Sequence, residues 1–306
     1  MNNAASRSSS NKSIAVACAV AIVIFAAFAT SRGWTARFLS SLRVQKVQTV
    51  NVNLSAFTGP NSDRNLQQMM SQMISDKVTV TTNEKDQPAS NRAEAAQLAG
   101  FTVKLPAQRK DAPELLVSGA HAFDMAVDRA RLQAIFNEAG RPDLKLPDSL
   151  DGATVNVQLP RAVRARYGHC PVPRAADAVT GSPPPTTENS DCLILTQAPS
   201  PTINVPQGMD ISQLAEIGLE LAGMSPSQAQ EFLRTVNWKT TLGLSMPRFM
   251  RSYEAVDVAG VQGTLLNMAG RRGPTYSLIW AKDGMTYSLT GFGNSGEAVA
   301  LADSMK

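Results

Sequence analysis

The feature that most limits what this chain can become is Ile14 to Ala29, IAVACAVAIVIFAAFA, an apolar run without a single charge. Such a run does not belong on the surface of a globular domain, so it divides the chain into a membrane-directed leader and a soluble remainder. A spanning helix takes about 20 apolar residues and a cleavable signal core about 7–15; this run falls between them. Arg7 and Lys12 precede it, and Ala27-Phe28-Ala29 has the small-x-small form that signal peptidase reads. Its length, the bulk of Phe25 and Phe28, and the aromatics Trp34 and Phe38 at the far interface favour retention as an uncleaved anchor. The expected segments are a cytoplasmic tail over 1–12, a transmembrane signal anchor over 13–31 and a basic stalk over 32–46. Cleavage after Ala29, giving a secreted protein, is the alternative.

Two signals disagree about which side the soluble part occupies. Positive residues number fewer before the run (Arg7, Lys12) than after it (Arg32, Arg37, Arg43, Lys46), which favours the cytoplasm. Outside the run, however, the only cysteines are Cys170 and Cys192, and they bracket a loop rich in Pro, Ser and Thr. Two cysteines closing one such loop are expected of a disulfide in an oxidising compartment, where closing about 20 residues contributes about 3 kcal/mol. The extracytoplasmic side of a cell membrane is therefore expected.

Charge excludes one class of partner. All 25 acidic residues lie from Asp63 onward, whereas Arg7, Lys12, Arg32, Arg37, Arg43 and Lys46 precede it. Of the 29 basic residues, 23 therefore remain with the 25 acidic ones, a net charge of about −2. The positive charge belongs to the membrane flanks, where lipid headgroups meet it, and no basic face is left for nucleic acid. A hydrophobic content of 43% marks the remainder as a folding chain.

Along that remainder, local patterns predict an α+β fold, with antiparallel sheets built from hairpins and packed helices. Val47 to Leu54 alternates as a strand. A helix begins near Asp63, with Leu66, Met69, Met70 and Met73 on its core face. Lys77 to Thr81 reads as a strand and Asn83 to Pro88 as a polar turn. A helix through Ala96 and Leu98 ends at Gly100, and Phe101 to Leu105 then reads as a strand stopped by Pro106. Leu115 to Val127 supplies strands around Gly119, Asp128 caps a helix carrying Leu132, Ile135 and Phe136, and a strand follows the Asp151-Gly152 turn. These elements make a first half over 47–168, the 169–192 loop marks a boundary, and 193–306 is a second half. There, Asp210 and Ser225 open two helices. Hairpins turn at Ala259-Gly260 and Asp283-Gly284, and Ser295 to Met305 closes the chain as a helix. Two-residue closure at Asp283-Gly284 pairs Trp280 with Tyr287 and Leu278 with Leu289, with Tyr276 on the same face. That aromatic face is a packed core or a ligand groove.

Motifs for chemistry are few. Gly291-Phe292-Gly293-Asn294-Ser295-Gly296 matches G-x-G-x-x-G, but the ten residues after it hold no second strand and no acidic residue about 20 positions on, so a strand-to-helix turn is expected in place of a dinucleotide site. There is no G-x-S-x-G elbow, and His121 and His169 are the only imidazoles, too few for a Cys/His zinc site. Asp124, Asp128 and Asp151 are scattered. The paired helices after Asp210 offer only Arg234, offset by Glu231, for a helix-turn-helix contact. No catalytic site, cofactor or metal is expected.

Two segments together resemble a known family. Glu94 to Pro106, EAAQLAGFTVKLP, resembles the opening of the extracytoplasmic domains of bacterial anti-sigma-factor-like single-pass membrane proteins. The ending over Ile279 to Ser304 resembles theirs in Trp280, Gly284, Tyr287, Leu289, Ala302 and Ser304. The resemblance implies an α+β sensory or interaction domain beyond one membrane helix. Twelve residues before the apolar run are too few for a sigma-binding domain, so the architecture is carried over and that activity is not. The expected protein is a non-catalytic envelope module whose partners are the membrane and another envelope protein. A carrier or sensor of lipid-like ligands is the alternative.

Overall fold

The computed structural model describes residues 46–50, 64–170, 191–204, 206, 209–235, 241–245, 250–270, 273–293 and 295–306. The expected tail, anchor and stalk lie outside these residues, apart from Lys46. Among the described residues no helix is long and apolar enough to cross a membrane.

In chain order the first elements are β1 (Lys46–Val50), α1 (Arg64–Lys77), β2 (Val78–Asn83), β3 (Gln87–Ala89), α2 (Arg92–Ala99), β4 (Glu114–Ser118), β5 (His121–Ala126), α3 (Arg129–Glu138), β6 (Thr154–Leu159) and β7 (Ala162–Tyr167). Beyond the 169–192 loop come β8 (Leu193–Pro199), β9 (Thr202–Asn204), α4 (Ile211–Leu221), α5 (Pro226–Thr235) and β10 (Thr241–Ser245). The chain closes with β11 (Met250–Val258), β12 (Val261–Gly270), β13 (Gly273–Lys282), β14 (Met285–Phe292) and α6 (Gly296–Asp303). The fold is α+β. Its two antiparallel sheets run β11-β12-β13-β14-β8-β7-β4-β3 and β2-β5-β6-β9, and β1 and β10 form a separate parallel ladder.

The helices begin where their caps dictate. Asn91, Asp128 and Asp210 each accept a hydrogen bond from the backbone N–H three residues on, at 3.0, 3.0 and 3.1 Å. Ser225 and Gln228 satisfy one another's backbone N–H in a reciprocal box. Each such cap is worth about 1 kcal/mol. Gly100, Gly140 and Gly223 follow α2, α3 and α4 with positive φ.

Each sheet has its own core. The larger sheet packs Val163, Ala165, Leu195, Leu278 and Leu289, all fully buried, beneath α2 and α6, whose small Ala95, Ala298 and Ala302 let the helices approach closely. The smaller sheet packs Phe123, Met125, Val155 and Val157 against Leu66 and Met73 of α1, Leu132, Ile135 and Phe136 of α3, and Ile217 of α4. The methionine stripe of α1 is thus core, with Met69 and Met70 partly buried at its edge.

The stretches 47–168 and 193–306 are not separate halves. Strands β3, β4 and β7 come from the first, and β8 and β11–β14 from the second, yet all eight share one sheet. The reason is that β7 and β8 pair directly, Tyr167 opposite Leu193, so the loop between them is an excursion from one hairpin. Two local expectations also change. Asn83 to Pro88 is not all turn, because Gln87–Ala89 pairs with β4. Phe101 to Leu105 is extended but is not a ladder strand. Its backbone partner is a side chain: the buried Gln197 amide accepts from Lys104 N–H and donates to Lys104 C=O, both at 2.9 Å. Leu105 then pairs with Lys306, and Ala107 donates to Ser304, so the C-terminus completes what a strand would have supplied. Strand β7 was not anticipated, although Val163, Ala165 and Tyr167 alternate with Arg164 and Arg166.

Three of the crossings between the sheets, β2–β3, β4–β5 and β6–β7, meet at one polar hub. Arg161 grips Glu84 with two N–H···O bonds of 2.7 and 3.0 Å and gives a third to the Leu98 carbonyl at the end of α2. The Ala120 N–H donates to the Glu84 carboxylate, while Glu84 N–H donates to Ala120 C=O. Gly119 lies so close to the Glu84 backbone that a Cβ has no room.

Two predictions follow from these contacts. The hydrogen bonds from Arg161, then from the Ala120 N–H, hold the Glu84 carboxyl down to about 2 from its ordinary 4.5. An unfolded chain takes up this proton before the folded one does. The stabilisation is therefore complete above about pH 4.5 and is lost as pH falls through about 2. Glu84→Gln is expected to lower the melting temperature at pH 7, with the gap to wild type closing by pH 2; a gap constant with pH is the contrary result. Gln197→Leu strands the buried Lys104 N–H and C=O, and is expected to cost about 1–3 kcal/mol in urea unfolding.

Candidate functional site

The aromatic face singled out in the sequence is placed by the last hairpin. Asp283 and Gly284 both have positive φ (53° and 73°), as a type I′ turn requires. The register sets Trp280 opposite Tyr287, Leu278 opposite Leu289 and Tyr276 opposite Gly291. The rings of Trp280 and Tyr287 stack at 5.1 Å, 10° from parallel, a contact worth about 0.5–1.5 kcal/mol beyond its buried area. Tyr276, Leu278, Trp280, Tyr287 and Leu289 are all buried, and α6 covers them through Ala298 and Ala302. Burial pushes the phenols of Tyr276 and Tyr287 above their ordinary range. On the other face the Ser277 and Thr290 hydroxyls lie 3.1 Å apart.

This face is interior, and the glycine-rich run beside it serves the packing. A Cβ on Gly291 would stand 2.5 Å from the Tyr276 hydroxyl oxygen, so the first glycine of the G-x-G-x-x-G match makes room for a ring. Gly293 (φ 92°) turns the chain toward α6.

The second feature is the base of the β7–β8 hairpin. Cys170 and Cys192 are joined by a disulfide, with Cα atoms 4.6 Å apart. Arg166 donates to the Cys170 carbonyl at 3.1 Å, and His169 N–H donates to the Asp191 carboxylate at 2.8 Å, which holds Asp191 below its ordinary value. The Arg109 guanidinium lies over the Tyr167 ring at 5.3 Å, while burial pushes that phenol up to about 12.

The titratable residues weighed for chemistry have separate structural tasks. Asp124 accepts from Asn156, Asp128 caps α3 and faces Lys77, and Asp151 accepts from Arg129 N–H. His121 stands at the start of β5 opposite Asn83 and Leu159, and His169 is on the loop base far along the chain. The structure does not assemble them into one site. Among the described residues no group of three or more His, Cys, Asp or Glu side chains is arranged to hold a metal.

Two surface features were not anticipated. An open groove of about 570 Å³ runs between Arg92, Ala93 and Ala96 of α2 and the Gly100–Val103 segment. The outer strand β11 leaves Tyr253 50% exposed, one of two large hydrophobic side chains so exposed among the described residues. The hydropathy pattern gives no warning of it, because exposure there follows from sheet order. Compared with known proteins, the chain matches no family model, no curated protein and no solved structure.

Replacing both Cys170 and Cys192 by Ala is expected to cost about 3 kcal/mol in urea unfolding, since the bond closes a separation of 22 residues. A change below about 0.5 kcal/mol would mean that the β7–β8 ladder holds the loop ends together unaided.

Proposed function

We propose that the chain is a membrane-anchored, extracytoplasmic interaction module of the bacterial envelope, without catalytic activity. The observation that carries this reading is the Cys170–Cys192 disulfide behind an apolar run long enough to engage a membrane. A bond of this kind is formed and kept in oxidising compartments. The two segments resembling anti-sigma-factor-like outer domains support it further. Glu94–Pro106 and Ile279–Ser304 share one buried core through Ala95, Val103, Trp280, Ala298 and Ala302. They thus act as one structural unit.

The carrier alternative has less support. A carrier needs an apolar cavity, and the aromatic face is occupied by its own packing under α6. The groove along α2 is open to solvent and its rim carries Arg92.

The test is the intact mass of the native-host protein under non-reducing conditions, with and without thiol alkylation. The expected result is the full-length mass with one alkylated cysteine, Cys18. A mass beginning at Thr30 makes the protein secreted and removes the anchor from the reading. Alkylation of all three cysteines places the domain in the cytoplasm and overturns it.

A further inference from the structure

The two antiparallel sheets have four edges among the described strands, and three are blunted. β3 and β9 are three residues long, and β2 carries a register shift between Val80 and Thr82. Short or bulged edges resist pairing with another chain. The fourth edge, β11, spans nine residues; its register shift falls at its start, between Met250 and Ser252, and leaves an unshifted run from Ser252 to Val258. Ser252, Tyr253, Glu254, Ala255 and Asp257 are all exposed on it.

The hairpin geometry says which backbone groups of β11 face outward. Ala259 and Gly260 both have positive φ (51° and 76°), the signature of a two-residue type I′ turn, so Val258 and Val261 form a hydrogen-bonded pair. Alternation then directs the N–H and C=O of Val256, Glu254 and Ser252 toward β12. Those of Tyr253, Ala255 and Asp257 point away from the sheet.

We propose that this edge is the docking surface for β11 of a second copy of the chain, joined antiparallel about a two-fold axis at Ala255. In that register the outward groups of each strand meet those of the other. Ala255, the smallest side chain on the edge, sits at the axis opposite its counterpart. Tyr253 lies opposite Asp257 of the second copy, which covers the exposed ring and leaves its hydroxyl near a carboxylate. Glu254 lies opposite Val256, so no like charges are opposed. Moving the axis to Glu254 sets two carboxylates against each other, which is destabilising. One strand pair is a small interface, and two chains held in a common membrane meet at a raised effective concentration. The pairing deepens the interaction reading by naming the partner; its failure would appear as a monomer, and the failure of that reading as free thiols.

The experiment is sedimentation equilibrium of the full chain in detergent micelles over a range of concentrations. A dimer is expected at the upper end. Ala255→Lys opposes two ammonium groups at the axis and is expected to weaken dimerisation at least tenfold with the melting temperature unchanged. Ala255→Pro is a second variant, removing an N–H that the second copy needs and β12 does not. In a Cys18→Ala background, Ala255→Cys is expected to oxidise to a covalent dimer. Hydrogen-bonded partners lie about 5.5 Å apart between Cα atoms, within the reach of a disulfide. Ser252→Cys, opposite Val258, is expected not to do so. A monomer at every concentration overturns the proposal. A dimer insensitive to both Ala255 changes, without the Ala255→Cys crosslink, also overturns it by placing the contact elsewhere. A monomer that captures a different envelope protein through β11 overturns it too, in favour of a heterologous strand.

Discussion

The ion pair between Glu84 and Arg161 is the point on which the two sheets depend. The chain passes from one sheet to the other at β2–β3, β4–β5 and β6–β7, and these three crossings run through residues that this pair or its neighbours hold. Exposed pairs contribute little by themselves, and Glu84 is about a third exposed. What distinguishes this one is that it also satisfies the Ala120 N–H and the Leu98 carbonyl, while Asp86 beside it accepts from the Gly119 N–H. Unpaired backbone groups at the β4–β5 turn and at the end of α2 would be a heavier penalty than the loss of two charges. The hub therefore sets register between layers, and each layer then supplies its own hydrophobic stability.

A similar substitution of side chain for backbone organises the rim of the larger sheet. Gln197, on a central strand, presents its amide to Lys104 as another strand would present a peptide group. The segment after α2 is thereby fixed, and it in turn receives the last residues of the chain through Leu105 and Ala107. The aromatic face of Trp280 and Tyr287 is sealed by these contacts together with α6. What the packing leaves at the surface is the loop base, the groove beside α2 and the outer edge of β11.

What was legible in the sequence was local. The Asp283-Gly284 turn fixes a register within ten residues of itself, so the pairing of Trp280 with Tyr287 followed from turn chemistry alone. The caps at Asp128, Asp210 and Ser225 were legible for the same reason. The order β14-β8-β7-β4 was not, because no local pattern names a strand's neighbours. Phe101 to Leu105 has every mark of a strand, and its departure depends on a glutamine 93 positions away. The loop after Cys170 looked like a boundary by composition, yet it joins adjacent strands; proline content reports what a segment cannot form, and not where a domain ends. The site was less legible than the fold, since exposure at Tyr253 and the meeting of Glu84 with Arg161, 77 residues apart, are properties of the assembled sheets.

The Cys170–Cys192 bond gives the loop it closes a mechanical character. With the two cysteines, residues 171–191 are closed into a covalent ring, and the Cα atoms of Cys170 and Cys192 lie 4.6 Å apart. Tension applied to the ring from outside is borne across the sulfurs, so it cannot pry β7 from β8 one hydrogen bond at a time. It reaches the sheet as a single pull on two joined strands, β7 and β8, near the middle of the eight. The ring is therefore a handle whose sequence and length can vary without loosening the ladder to which it is attached.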